Sequence, residues 1–120
     1  MAYLLIALKL IVALGILNVW LLRPGKGTPY RGKDAKTLQE EFAAYGLSFP
    51  VFCLIGTLKV GLALALLASL WIPRVAPMAA AGMGVLMLGA LAMHLKVKDP
   101  LRKALPSIAV LAMCIAIGLL

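Results

Sequence analysis

The sequence predicts an all-α protein, a bundle of four transmembrane helices with a short interfacial amphipathic helix between the first and second spans. Hydrophobic residues make up 64% of the 120 residues and the mean hydropathy is +1.07, whereas soluble domains contain about 45–50% apolar residues. The apolar residues form four long runs, and a run of about 20 apolar residues crosses a bilayer. A chain of this length is expected to form a single integral-membrane domain, residues 1–120.

The first predicted span covers residues 3–22 and is expected to be an uncleaved transmembrane helix. It lacks the basic segment that opens a signal peptide, it exceeds the usual length of about 7–15 apolar residues, and no small-residue cleavage site precedes Trp20. Trp20 near the end of the run and Arg23 just beyond it suit a membrane–water interface.

Residues 23–46, RPGKGTPYRGKDAKTLQEEFAAYG, form the one long polar segment of the sequence. Its glycines and proline predict a loop over residues 24–33. Asp34 is the expected N-cap of a helix over residues 34–45, and Gly46 is the expected stop. The apolar face of this helix repeats at helical spacing through Ala35, Leu38, Phe42 and Tyr45. A helix of about three turns with one apolar face is expected to lie in the interface.

The other three spans are predicted at residues 50–72, 77–95 and 104–120. Pro50 begins the second span, and the third is rich in glycine and alanine, which let helices approach closely in a membrane. Pro106 is expected in the first turn of the fourth span, where a missing N–H is tolerated.

The basic residues predict the orientation of the chain. Nine of the twelve lysines and arginines lie in residues 23–46 and 96–103, and four spans place these two loops on the same side. The positive-inside rule predicts that both loops are cytoplasmic and both termini are outside, in a bacterial inner (plasma) membrane. The net charge of +8 does not indicate nucleic acid, because no basic stripe alternates with aromatic residues. Anionic lipid headgroups are the expected partners.

The two cysteines, Cys53 and Cys114, lie in separate apolar runs without a CxxC pair or metal-ligand spacing. Both are expected to be small buried hydrophobic residues. The sequence therefore predicts no metal site, no evident cofactor and no thiol–disulfide chemistry.

Lys59 is the most informative polar residue within the spans. It lies about 13 Å from Pro50 at 1.5 Å rise per residue, and a lysine at the bilayer centre costs about 2.5–3.5 kcal/mol. Its best-placed partners are Glu40 and Glu41. Three interpretations stay open: an ion pair that fixes the short helix to the bundle, a cation that faces a ligand pocket, or a side chain that reaches toward the lipid surface.

Several polar residues are expected to converge at the cytoplasmic end of the bundle, as ionisable groups do in a binding site. This predicted site consists of Asn18, Arg23, Glu40, Glu41, Tyr45, Lys59 and His94. His94 has the alternative interpretation of an ordinary interfacial residue. Lys9 is expected to lie outside the site, as a subunit contact or a side chain directed to the outer face, because the helical repeat places it opposite Asn18.

Four segments, in order, resemble those of the DoxX-like family: LGILNVWLLRPGKGTPYRG, AKTLQEEFAAYGLS, GTLKVGLALALL and MHLKVKDPLRKALPS. This family consists of small four-helix membrane proteins, and relatives by name are linked to quinone-coupled sulfur oxidation and membrane-associated oxidoreductase complexes. The resemblance marks nine residues as typical of the family without giving them roles: Asn18, Arg23, Tyr30, Glu40, Glu41, Tyr45, Lys59, His94 and Asp99.

The residues and the resemblance together predict a protein that binds a quinone-like or lipid-like molecule in the cytoplasmic-side pocket. Lys59 and His94 are expected to hydrogen-bond its polar head, and an associated oxidoreductase to supply electrons in a redox role. The alternative is a non-enzymatic scaffold or assembly subunit, such as a homodimer, whose polar cluster is structural. Transport of a small anion is disfavoured, because loops of 24 and 8 residues show no inverted repeat. Whether the chain is itself an enzyme stays open.

Overall fold

The computed structural model describes residues 2–22 and 37–119, except for the side chains of Ala2 and Leu38. These residues form helices joined by turns and short connections, without a strand, which confirms the predicted fold class. The helices are α1 (Ala2–Leu17), which continues as a π turn (Asn18–Leu22), α2 (Leu38–Ala44), α3 (Phe49–Ala68), α4 (Ala76–Lys96), which follows a 3-10 turn (Pro73–Val75), and α5 (Leu101–Leu119).

Four helical segments are long and apolar enough to cross a membrane: Tyr3–Leu22, Phe49–Ala68, Pro73–Lys96 and Leu101–Leu119. This is the architecture of an integral membrane protein. The end of the bundle at which α1 ends, α3 begins, α4 ends and α5 begins is called the loop end below.

The helices pack in the order α1, α3, α4, α5 around one core, with the most extensive interface between α4 and α5. Small residues of α4, including Ala79, Ala80 and Gly84, are buried, as expected for close helix approach in a membrane, and Gly84 faces Leu111 and Cys114 of α5. The best-buried large side chains of the core are Val12, Leu66 and Met83.

The helix α2 is shorter at its start than the predicted helix over residues 34–45. It begins at Leu38, because Thr37 has extended backbone and its hydroxyl accepts a hydrogen bond from the Glu40 N–H at 3.0 Å, which makes Thr37 the N-cap. Asp34, the predicted N-cap, lies outside the described residues, as does Ala35.

The end of α2 is the one predicted. Gly46 has φ +81°, and the Leu47 N–H donates to the Phe42 carbonyl at 3.0 Å, which completes a Schellman motif. Phe42 and Tyr45 are buried against the bundle, so the amphipathic interpretation of this helix is confirmed.

The start of α5 differs from the prediction and changes the place of its proline. The helix begins at Leu101, not at residue 104, so Pro106 lies inside the helix and not in its first turn. A proline there removes the hydrogen bond to the Arg102 carbonyl.

Lys9 was expected to be either a subunit contact or a side chain directed away from the predicted site, toward the outer face. It is buried inside the chain's own bundle, which disagrees with a subunit contact, and its Nζ donates to the Ser69 carbonyl at 3.4 Å, at the end of the bundle opposite the loop end. It lies just beyond the C-terminus of α3, where a cation is favoured by the helix dipole. Cys114 is buried as predicted, but Cys53 is exposed on the surface of α3.

Candidate functional site

A cavity of about 550 Å³ lies between the helices near the loop end. Ligand pockets in proteins commonly have volumes of about 300–1,000 Å³. All five helices contribute to its lining, which is apolar along most of its length. The polar and charged lining residues are Asn18, Glu41, Tyr45, Lys59, His94, Lys103 and Ser107.

Most of the predicted site residues meet at this cavity. Those that line it are Asn18, Glu41, Tyr45, Lys59 and His94. Glu40 lies on the exposed face of α2 and does not line the cavity. Arg23 lies outside the described residues.

The π turn at the end of α1 positions Asn18 and Trp20. A π turn holds more residues per turn than an α-helix and therefore rotates the side chains that follow it, a feature found often at functional sites. Asn18 is half-buried and lines the cavity. Within the part of the chain that the structure describes, its side-chain amide has no hydrogen-bond partner.

An aromatic cluster holds α2 against α1 and α3. The Trp20 ring centroid lies 5.7 Å from that of Phe42 and 5.3 Å from that of Phe52, and Phe42 and Phe52 meet edge to face at 5.2 Å. Such pairs add about 0.5–1.5 kcal/mol each beyond their burial. The sequence indicated Trp20 only as an interfacial residue. The signal that was missed is the spacing of Phe52, Gly56 and Lys59, which places all three on one face of α3.

Lys59 lies between this cluster and the cavity. Its Nζ is 5.4 Å from the centroid of the Trp20 ring, within the range of a cation–π interaction. The charge of Glu41, one of its two expected partners, acts on the ammonium of Lys59. Among the described residues the ammonium has no hydrogen-bond acceptor, so its donors are available to a molecule in the cavity.

His94 connects the cavity to the loop after α4 through a chain of hydrogen bonds. Its Nδ1 lies 2.9 Å from Oδ2 of Asp99, and its Nε2 lies 3.5 Å from the hydroxyl of Tyr45. The Tyr45 hydroxyl donates to Oε1 of Glu41 at 2.6 Å. The side chains of His94 and Asp99 are both more than nine-tenths buried. This burial and the contact with Asp99 argue against the interpretation of His94 as an ordinary interfacial residue.

The turn that ends α4 places Asp99 over His94. Lys98 has φ 58°, and the Asp99 N–H donates to the His94 carbonyl at 3.0 Å, which closes a second Schellman motif. Backbone and side chain of Asp99 therefore both contact His94. The sequence marked Asp99 only as a residue typical of the family, because the partner of His94 depends on this turn.

Lys103 is a cavity residue that the sequence prediction missed. It was placed in the loop over residues 96–103, but it lies in the first turn of α5, where it is buried and lines the cavity. Ser107 and Val110 follow it at helical spacing and also line the cavity. This spacing in the sequence is the signal that could have identified the face of α5 that lines the cavity.

The described cavity residues offer hydrogen-bond donors and acceptors and exchangeable protons at one end of an apolar volume. Across residues 2–22 and 37–119, no group of three or more His, Cys, Asp or Glu side chains is placed to hold a metal ion.

A family model with the description "DoxX-like family" matches residues 30–117, most of the chain. The matched range includes the cavity residues of α2, α3, α4 and α5. No curated protein and no solved structure shows a significant match.

Proposed function

Since the chain belongs to the DoxX-like family and has four apolar helices of spanning length, we propose that it is a membrane protein that binds a quinone-like or lipid-like molecule in the cavity at the loop end. One observation carries this proposal. The Lys59 ammonium and the Asn18 amide, without hydrogen-bond partners among the described residues, border a largely apolar volume. An apolar site with a few convergent polar groups suits an amphiphile.

The polar head of the ligand lies at the loop end, where a carbonyl or phosphate oxygen accepts hydrogen bonds from Lys59 and Asn18. Both side chains are half-buried, and a ligand that covered them without accepting their hydrogen bonds would leave polar groups unsatisfied at a cost of about 1–3 kcal/mol, so both donors favour a ligand with acceptor oxygens. The apolar part of the ligand lies against Ile16, Leu86 and Val110. His94 acts on the head through Tyr45 and Glu41, because both of its ring nitrogens face protein groups.

We place the loop end on the cytoplasmic side of a bacterial inner membrane, with both termini outside. The support is the distribution of charge in the sequence, in which nine of the twelve basic residues fall within residues 23–46 and 96–103, the segments that connect the helices at this end. In this orientation the protein is the membrane component of an oxidoreductase system, and an associated oxidoreductase delivers electrons to a bound quinone from the cytoplasm.

The test is mass spectrometry of solvent extracts from protein purified in mild detergent. The wild type is expected to carry a stoichiometric quinone or other lipid, and Lys59→Met is expected to lose it. Glu40→Gln is the matched control, because Glu40 lies on the same short helix as Glu41 but outside the cavity. Bulk phospholipid alone, in equal amounts in all three samples, contradicts the proposal. If the wild type carries one phospholipid enriched over the bulk lipid and no quinone, the ligand is lipid-like and not quinone-like.

The second candidate is a scaffold or assembly subunit, and the interaction of Lys59 with Glu41 favours it. If this pair serves only to attach α2 to the bundle, Lys59→Met alone lowers the melting temperature because it leaves Glu41 uncompensated. The double variant Lys59→Met/Glu41→Gln then restores it, and no ligand copurifies. Loss of a specific ligand in a variant that melts like the wild type excludes this candidate.

A further inference from the structure

We propose that Asp99, His94, Tyr45 and Glu41 form a proton path between the loop after α4 and the cavity. This inference rests on the proposed function, because the path ends where the polar head of the ligand would lie. It adds a direction of proton movement and a role for each of the four side chains.

The hydrogen-bond directions follow from the number of protons available. A tyrosine hydroxyl has one proton, and that of Tyr45 is donated to Glu41 at 2.6 Å. Its oxygen therefore faces Nε2 of His94 as an acceptor, 3.5 Å away. Asp99 accepts from the Nδ1–H of His94 at 2.9 Å. The contact of Tyr45 with His94 becomes a full hydrogen bond in the other tautomer, in which Nε2 carries the proton and Nδ1 accepts from a protonated Asp99.

One transfer along the path balances as follows. The transfer starts from the Nε2–H tautomer of neutral His94, with Asp99 protonated by a proton that entered at the loop. The Tyr45 O–H bond breaks as its proton moves to Oε1 of Glu41, and the Nε2 proton forms the new O–H bond. The Asp99 proton moves to Nδ1 at the same time, so Asp99 becomes a carboxylate again, His94 ends as the neutral Nδ1–H tautomer, and Glu41 becomes a neutral carboxylic acid. Reversal of these steps carries a proton from the cavity outward.

Tyr45 occupies the position that such a path requires. It borders the interior cavity and also a surface cleft of about 500 Å³, which Gly46, Lys96 and Lys98 help to line. The Nζ of Lys96 donates to the Tyr45 carbonyl at 2.8 Å and fixes this residue between the two volumes.

Among the described residues, charged groups lie near the path on four helices and one loop. They are Glu41 on α2, Lys59 on α3, Lys96 on α4, Lys98 and Asp99 in the following loop and Lys103 on α5.

The first test needs no ligand. After a rapid drop in pH, infrared spectroscopy follows the C=O stretching band of protonated Glu41, which Glu41→Gln identifies by removing it. Tyr45→Phe is expected to slow the appearance of this band by about a hundredfold, which is the lower end of the rate contribution of a positioned proton-transfer group. Asp99→Asn is expected to slow it as well. Tyr3→Phe is the control, because Tyr3 is exposed at the opposite end of the bundle. Equal rates in the wild type and Tyr45→Phe overturn the path.

The second test uses protein saturated with a decyl-substituted benzoquinol and ferricyanide as the electron acceptor. One quinol gives one quinone, two ferrocyanide ions and two protons, and a pH-indicator dye measures the protons. At saturation, Tyr45→Phe is expected to release protons about a hundredfold more slowly than Tyr3→Phe. If the wild type does not bind the quinol, the proposal that the ligand is a quinone is contradicted. If Tyr45→Phe binds the quinol and releases protons as fast as Tyr3→Phe, the proton path is overturned while the proposed function stands.

Discussion

The indole ring of Trp20 lies directly on the backbone of Gly56. A Cβ at position 56 would lie 2.6 Å from Cζ3 of the ring and 2.8 Å from Cε3, closer than such atoms approach in folded proteins. Glycine is therefore required here for the end of α1 to reach α3. The same contact orients the ring toward Lys59 and toward Phe42 of α2, so one glycine helps to set the geometry of the polar end of the cavity.

Gly56→Ala is expected to destabilise the protein by about 1–3 kcal/mol, the usual cost of an overpacked core. The measurement is thermal unfolding in detergent, followed by circular dichroism. Gly61→Ala is the matched control on the same helix, because nothing lies within 4 Å of its Cβ position. That control is expected to be neutral or slightly stabilising, since alanine is the better helix former by up to about 1 kcal/mol. Equal effects of the two substitutions contradict the importance of the Trp20 contact.

The spans could be predicted from the sequence because bilayer thickness restricts them strongly. Long apolar runs have few alternatives to a membrane helix, and α3 and α4 begin and end within a few residues of the predicted bounds. The start of α5 was less determined, because polar residues such as Lys103 fit both a loop and a buried helical turn.

The candidate site could be predicted only in part. Sequence position gives depth in the membrane, and depth sufficed to group Asn18, Lys59 and His94. Rotation about the helix axis and the closing turns decide the actual contacts. The π turn at Asn18 and the left-handed residue at Lys98 are local features that periodicity does not reveal, and the second of them brings Asp99 to His94.

The left-handed backbone of Lys98 leads to a second prediction. A non-glycine residue in this region costs roughly 1–2 kcal/mol, so Lys98→Gly is expected to stabilise the protein by about 1 kcal/mol while the turn keeps Asp99 over His94. Gly46→Ala is the reciprocal variant at the end of α2, where φ is +81°, and it is expected to destabilise by about 1 kcal/mol. Chemical denaturation in mixed micelles measures both. A loss of stability in Lys98→Gly contradicts the prediction.

The third prediction tests the cavity without changing its polar groups. Gly15 and Gly89 both line it, and nothing lies within 4 Å of either Cβ position. Gly15→Leu and Gly89→Leu place a bulky side chain at the cavity boundary, so each is expected to reduce the copurified ligand several-fold with little change in melting temperature. Gly61→Leu adds the same volume outside the lining and is expected to keep the ligand. Full ligand occupancy in both cavity variants argues that the ligand binds elsewhere.

The last prediction concerns Lys9, a buried cation remote from the cavity. Its hydrogen bond to the Ser69 carbonyl is long, at 3.4 Å. Removal of this bond leaves the carbonyl unsatisfied, at a cost of about 1–3 kcal/mol. An ammonium inside a membrane protein costs about 2.5–3.5 kcal/mol on insertion scales. Because this cost exceeds that of the lost hydrogen bond, removal of the charge is expected to raise the stability slightly.

Lys9→Met keeps most of the volume and is expected to stabilise the protein by about 1 kcal/mol. Lys9→Ala removes the same charge but also leaves a void inside the bundle, because Lys9 is buried, so it is expected to be less stable than Lys9→Met by about 2 kcal/mol or more. Thermal unfolding in detergent compares the three proteins, and a Lys9→Met variant that melts well below the wild type shows that the attraction between this cation and the C-terminus of α3 exceeds its burial cost.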